Sequence, residues 1–420
     1  MALMHRALIV IAIVVGLSAA NLAQQNAADV TQWRGANRDG VVNGFTAPAT
    51  WPAQLTQRWK VDIGIGYATP LVAGNRVYLF SRQADDEVMS AIDAASGKVL
   101  WRTAYPAPYT MMSAAVPHDK GPKSTPVLSN GRLFAIGMTG VVTAYDAASG
   151  KQLWQKPGSS VVPMYTSHSF SPVIEGTTVI FHVGGHGQGA LTAYDVTTGD
   201  VKWSWTGDGP GYGSPIVATF SGVRQLVTVT QGKLVGVATA TGQLLWERPF
   251  VSPNFTNSIT PVLYGDSVIA WGHGGPMTAV RVARQNNQWV TETAWENADL
   301  PGRMSNAVLN GDVMIGLTSR NMGQYFGVDA KTGKILWSSD GRQAANAAML
   351  RAGEIVFSLE NDGELVILRA SNTGFEPLQR YRVADPETGG PIGPTWAQPA
   401  ISGNRIFVRD VSTLTLWTVG

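Results

Sequence analysis

Ala91-Ile92-Asp93-Ala94-Ala95-Ser96-Gly97-Lys98-Val99-Leu100-Trp101 is the stretch that decides the fold, because its pattern recurs. Ala-x-Asp-x-x-Ser/Thr-Gly-x-x-x-Trp returns from Ala144 to Trp154, with Asp146 and Gly150, and from Ala193 to Trp203, with Asp195 and Gly199. A variant runs from Gly327 to Trp337 with Asp329 and Gly333. A worn copy runs from Gly236 to Trp246, keeping Gly242 but carrying Ala238 in place of Asp. Neighbouring copies lie roughly 43 to 53 residues apart, a period that belongs to stacked supersecondary units rather than to independent domains.

Each unit opens on a small or amide residue before proline: Thr69-Pro70, Thr125-Pro126, Ser171-Pro172, Ser214-Pro215, Thr260-Pro261 and Gln398-Pro399. Asn306-Ala307 and Asn346-Ala347 are openings that have lost the proline. Proline suits the first residue of a strand, where no ladder donor is needed. Within the second unit, Pro126–Leu128, Arg132–Gly137, Val141–Tyr145 and Lys151–Trp154 read as four strands joined by polar turns. The Asp side chain can bind backbone N–H groups in the last turn, and Gly can take the positive φ that closes it. Eight openings with four strands each predict an all-β, eight-bladed propeller of four-stranded antiparallel blades. The eighth unit lacks a fourth strand after Trp417, and Leu55–Asp62 resembles a fourth strand without its first three. The expected closure places that N-terminal strand outside the last blade. The predicted division is 1–23 signal peptide, 24–54 N-terminal extension covering part of the disc, and 55–420 propeller.

Composition agrees with one large core. Apolar residues are 44% and charged residues 14%, with 47 glycines for turns. A net charge of +2 without a basic run argues against nucleic acid and acidic membrane surfaces as partners. Arg6, the apolar Ala7–Leu17 and the small Ser18-Ala19-Ala20 read as an export signal, removed to leave no stable membrane span. The expected location is periplasmic or secreted, as a monomer. The sequence has no Cys, so it offers no disulfide, thiolate metal site, covalent haem attachment or lipid-bearing thiol.

The recurring phrase resembles the tryptophan-docking motif of pyrroloquinoline quinone (PQQ)-like repeat propellers, over nearly all of the mature chain. Trp33-Arg34-Gly35 with Asn37-Arg38-Asp39-Gly40 resembles the opening of exported PQQ-like repeat proteins of bacteria. The resemblance implies that the motif joins neighbouring blades and is not itself a quinone site. It also implies two functional classes. Quinoprotein dehydrogenases hold PQQ at the ring centre with Ca²⁺ and an Asp base. Outer-membrane-assembly propellers have a similar ring without cofactor and act as binding scaffolds. The chain lacks the adjacent cysteine pair that caps the quinone in many dehydrogenases, and no Glu-Asn-Asp calcium set matches by spacing. The primary expectation is therefore a scaffold without a cofactor, binding a protein partner or small molecule at the ring mouth. The alternative is a PQQ- and Ca²⁺-dependent alcohol or sugar dehydrogenase.

Candidate site residues follow from the expected loops. The long connection Tyr105–Lys123 carries His118, Lys120 and Lys123, whose charges suit an anion or a quinone carboxylate, or else form a solvated lid. His168 lies in the next connection. His182 and His186 are four apart, but with the first ending a strand and the second in a turn, helical spacing does not bring them together. His273 occupies the corresponding turn of a later blade, so several His are expected near the axis. Arg303, Arg320 and Arg342 sit in later connections and would give the mouth a positive lining, or serve solubility. Asp85-Asp86-Glu87 reads as a solvated acidic turn, with calcium as the alternative. No serine-hydrolase elbow, phosphate loop or His-Glu-x-x-His is present.

Overall fold

The computed structural model describes residues 28–420. The expected signal peptide lies outside the described residues. Among them, eight four-stranded antiparallel sheets account for every strand. Blade one, for example, comprises Leu71–Ala73, Arg76–Gln83, Asp86–Asp93 and Val99–Pro106, paired in that order. The first strand of a blade is short and buried, and the fourth alternates toward solvent, as in Gln152–Lys156. The first strands therefore surround the axis and the fourth strands form the rim. Strand direction alternates, so connections between blades and the middle hairpins share one face. The remaining turns, including the Asp–Gly corners, share the other.

The ring closes as expected. Thr56–Asp62 pairs antiparallel with Thr413–Thr418, making it the outer strand of the eighth blade. This pairing gives the eighth blade its fourth strand and covers the edge that Thr413–Thr418 would otherwise expose.

Three devices shape the blades and join them. The first is the Asp corner. Asp93 Oδ1 accepts from the Ser96 N–H at 2.8 Å and its hydroxyl at 2.7 Å; Asp146 and Asp329 repeat the pattern, whereas Asp195 accepts the Thr198 N–H while the Thr198 hydroxyl donates to Asp200. These hydrogen bonds hold the carboxyls of Asp93 and Asp146 below the usual range, led by Ser96 and Ser149.

The second is the indole. Each corner glycine adopts positive φ against a Trp of the preceding blade: Gly97 on Trp59, Gly150 on Trp101, Gly199 on Trp154, Gly242 on Trp203 and Gly333 on Trp295. Several of these indoles also donate across the seam, Trp203 Nε1 to Thr239 O at 2.9 Å and Trp295 Nε1 to Ala330 O at 3.0 Å, and Trp337 Nε1 likewise donates to Ser371 O at 3.1 Å. Trp246 instead donates to Gln225 Oε1 within its own blade.

The third device encircles the axis. The Thr69 N–H donates to Thr125 Oγ1, Thr125 N–H to Ser171 Oγ, and Ser171 N–H to Ser214 Oγ, each at 3.0 Å. The Thr260 N–H donates to Asn306 Oδ1 at 2.7 Å. At these seams the residue that opens the first strand is thus a latch between neighbouring blades. Its short polar side chain satisfies a buried N–H that no β-ladder reaches.

Candidate functional site: the plugged axis and its mouth

The N-terminal extension plugs the ring. Val30 pairs with Val72 and Val41 with Arg351, both on first strands. Between them, positive φ at Arg34, Gly35, Arg38 and Gly40 coils Trp33–Gly40 tightly enough to enter the axis. Arg38 is buried and donates from Nε to Pro215 O at 2.6 Å, from Nη1 to Pro172 O at 2.9 Å and from Nη2 to Ser171 O at 2.8 Å. Arg34 is also buried, with Nη2 on Ala307 O at 2.6 Å. Trp33 Nε1 donates to Thr260 Oγ1 at 2.8 Å. One short segment thereby ties the third, fourth, fifth and sixth blades at their inner strands. A guanidinium suits this position because its planar fork reaches several carbonyls at once.

Above Trp33, an axial cavity of about 150 Å³ opens toward the face that carries the inter-blade connections. Its wall includes Tyr67, His118, Lys123, Tyr165, Tyr212 and Trp396. Deeper in, Ser171, Ser214, Thr260 and Asn306 place the latch ring on the same wall. Lys123 Nζ donates to Asp119 O at 2.9 Å and Gly121 O at 2.8 Å, and lies 4.7 Å from the centre of the Tyr67 ring. Burial pushes its pKa down to about 7, opposed by Asp119 and reinforced by Arg409. His118 meets Trp396 edge-on at 5.3 Å, and burial and then Lys123 lower its pKa.

The other expected mouth residues lie elsewhere. Lys120 is exposed beside the loop and does not line the cavity. His168 is fully buried, and burial drives its pKa down to about 3. His182 corrects the sequence reading. It does not end a strand but lies inside Thr178–Gly185, fully buried, with Nε2 3.1 Å from Asp208 O. His186 does sit in the turn, packed on Tyr212 and Phe255. His273 bridges to Gly302 beside Arg303. Arg320 is exposed and 4.0 Å from Asp299, and Arg342 is exposed. Of the eight candidates from His118 to Arg320, the structure brings His118 and Lys123 together on the axial wall. The acidic turn is also corrected: Glu87 is buried, accepting from Tyr105 Oη at 2.5 Å and Met138 N–H at 2.6 Å. Both faces of Asp86–Asp93 are covered, so Glu87 is buried with the five residues that follow it.

The residues present do not fit a Ca²⁺–quinone pair. No Asp or Glu lines the axial cavity, so it supplies neither carboxylate ligands for Ca²⁺ nor an acid–base carboxylate. Lys123 has already spent two donors on backbone carbonyls. The cavity is also smaller than the roughly 300–1,000 Å³ of ordinary cofactor pockets. Among the described residues, no three His, Asp or Glu side chains gather as a metal site.

Tyr67, Tyr165, Tyr212 and Trp396 form much of this wall and were not singled out from sequence. Their signal was positional, since each lies in an inter-blade connection.

Comparison with known proteins agrees with the architecture. The chain is 22% identical over 303 residues to the outer membrane protein assembly factor BamB of Shewanella oneidensis, covering 67% of this chain and 70% of the relative. It is 30% identical over 160 residues to the cytochrome c-linked 1-butanol dehydrogenase of Thauera butanivorans, covering 35% of this chain and 20% of that enzyme. The crystal structure of BamB from Moraxella catarrhalis superposes with a TM-score of 0.62 at 15% identity, over 87% of this chain and 99% of that one, which shows the shared fold. A single family model, described as outer membrane protein assembly factor BamB, matches residues 42–118, 84–298 and 292–417. With nearly the whole ring inside those matches, the chain belongs to that PQQ-like propeller family.

Proposed function

We propose that this chain is a non-catalytic, periplasmic scaffold for outer-membrane protein assembly. The carrying observation is the axis itself. Where a quinoprotein would need carboxylates, this ring has a hydroxyl-lined cavity floored by its own N-terminal plug. The family match and the BamB relatives supply the assembly role.

The surface offered to a protein partner is the face with the inter-blade connections. Val116, Met164, Val251, Phe255 and Met322 are exposed there, on loops from four different blades or seams. Apolar side chains on loops held by a rigid frame are suited to partner recognition. His118 and Lys123 at the mouth can add polar contacts or hold a small ligand. Among the described residues, no helix is long and apolar enough to cross a membrane.

Two measurements test the proposal. Deleting the gene in its host should lower the content of outer-membrane β-barrel proteins. A Val251→Asp/Met322→Asp variant should fail to restore it while melting like the wild type. Calorimetry with PQQ and Ca²⁺ should show no saturable uptake. Quinone-dependent dye reduction driven by an alcohol or sugar would overturn the proposal in favour of a dehydrogenase.

A further inference from the structure

The latches use up acceptors and leave donors. Ser171 Oγ accepts the Thr125 N–H, Ser214 Oγ the Ser171 N–H, Thr260 Oγ1 the Trp33 Nε1–H and Asn306 Oδ1 the Thr260 N–H. Each hydroxyl so engaged still has a proton to give, and the Asn306 amide has two. None of these four side chains donates to an acceptor among the described residues. The Thr260 N–H also fixes the Asn306 amide, because turning it over would set NH₂ against N–H. Unlike Asn346 Oδ1, an orphan sealed from solvent, the unpartnered Asn306 Nδ2 is open to it. Asn306 is otherwise buried, so that opening is onto the cavities it lines.

All four belong to the wall of the axial cavity of about 150 Å³, one each from the third, fourth, fifth and sixth blades. Lys123 is the cation of the same wall. Asp119 and Glu87 favour its charged form and Arg409 opposes it, but none of the three lines the cavity, and neither does any other Asp or Glu. Tyr212, Met304 and Trp396 contribute to its apolar part. A cavity of roughly 150 Å³ holds one body of benzene size.

We infer that the axial cavity binds a small organic monocarboxylate, its carboxylate at the donors of Ser171, Ser214, Thr260 and Asn306 and its short apolar body among Tyr212, Met304 and Trp396. A carboxylate brings about four acceptor sites and no donor, which matches a wall with protons to spare. It also compensates Lys123 through charge-assisted hydrogen bonding. Water accepts from the same donors, but it brings protons that need acceptors of their own and leaves the ammonium charge as it was. A cation would meet Lys123 and find no carboxylate. The volume admits a single small body, below the size of a cofactor. This site is separate from the apolar loops offered to a protein partner and does not depend on the assembly role.

The test is calorimetry on the full chain with benzoate as the probe, at pH 6, below the value of about 7 to which burial lowers Lys123. Benzoate should bind saturably. Benzamide, with the same ring and no charge, should bind roughly ten-fold more weakly or worse. Asn306→Asp keeps an acceptor for the Thr260 N–H, and with it the latch, but replaces the free donor by negative charge. It should keep the wild-type fold and lose benzoate affinity by roughly ten-fold or more. Lys123→Gln should weaken benzoate as well, and it carries the test if Asn306→Asp does not fold. A crystal grown with benzoate should place the carboxylate against the four latch side chains. Absence of saturable uptake overturns the inference. So does benzamide binding as tightly as benzoate, an affinity that Asn306→Asp leaves unchanged, or a cavity that holds only water in the benzoate crystal.

Discussion

Replacing Gly150 by Ala separates indole docking from backbone strain, because Gly131 provides an internal control. Both glycines have positive φ, 76° at Gly150 and 72° at Gly131. A Cβ on Gly131 meets nothing within 4 Å, whereas one on Gly150 falls 2.4 Å from Cε3 of Trp101. The left-handed conformation alone costs an alanine about 1–2 kcal/mol. At Gly150 the indole must also retreat, forfeiting part of the roughly 1.5–3 kcal/mol that burying a large apolar side chain contributes. Gly131→Ala should therefore destabilise by about 1–1.5 kcal/mol and Gly150→Ala by about 3 kcal/mol. In a Trp101→Ala background, the Gly150 penalty should fall to that of the control, giving a coupling of about 1.5–2 kcal/mol. Urea melts of the four proteins in the cycle, with Gly131→Ala alongside, measure this directly. Equal cost of Gly150→Ala with and without Trp101 would refute the view that the indole bears on this corner.

Two further outcomes follow from buried polar groups. Thr125→Val keeps the shape of the latch but removes the acceptor for the Thr69 N–H, so it should cost about 1–3 kcal/mol, with Thr125→Ser close to wild type; a valine variant as stable as the parent would show that the latch is idle. Glu360 is almost fully buried, and burial raises its pKa to about 7, against the Tyr325 hydroxyl and Arg380 that favour its charged form. A carboxyl whose folded pKa lies above its unfolded value contributes stability that is complete below about pH 4.5 and is lost as pH rises toward 7. Relative to Glu360→Gln, the wild type should lose about 2–4 kcal/mol across that window; parallel pH profiles of the two proteins would exclude the carboxyl as the cause.

The ring was readable because its seams depend on local chemistry that repeats. An Asp, a hydroxyl and a Gly within five residues build a corner whatever surrounds them, and Trp101 and Trp154 stand at a fixed distance beyond it. Trp295 escaped that pattern. Its own blade replaces the corner with the long hairpin Met277–Asn297, while its ring docks forward on Gly333. The pre-proline residues were visible as strand openings, but their partners lie 43 to 56 residues away, so the latch was not. The axial site was less legible still. Charge drew attention to Arg303, Arg320 and Lys120, which the loops carry to other places. Arg34 and Arg38 read as part of a covering segment, because nothing local reveals that a turn of positive-φ residues inserts them among carbonyls 133 to 273 residues downstream.

The seam between Thr56–Asp62 and Thr413–Thr418 imposes an order on biogenesis. Thr56–Asp62 finds its partner only when Thr413–Thr418 has been made, so it waits while all the blades between them are synthesised. Until then its hydrogen-bonding edge is sticky and can pair with the wrong neighbour. Contacts of such long sequence separation form slowly. The molecule consequently has a vulnerable adolescence between emergence and closure, and losing the strand Thr413–Thr418 would leave it permanently in that state.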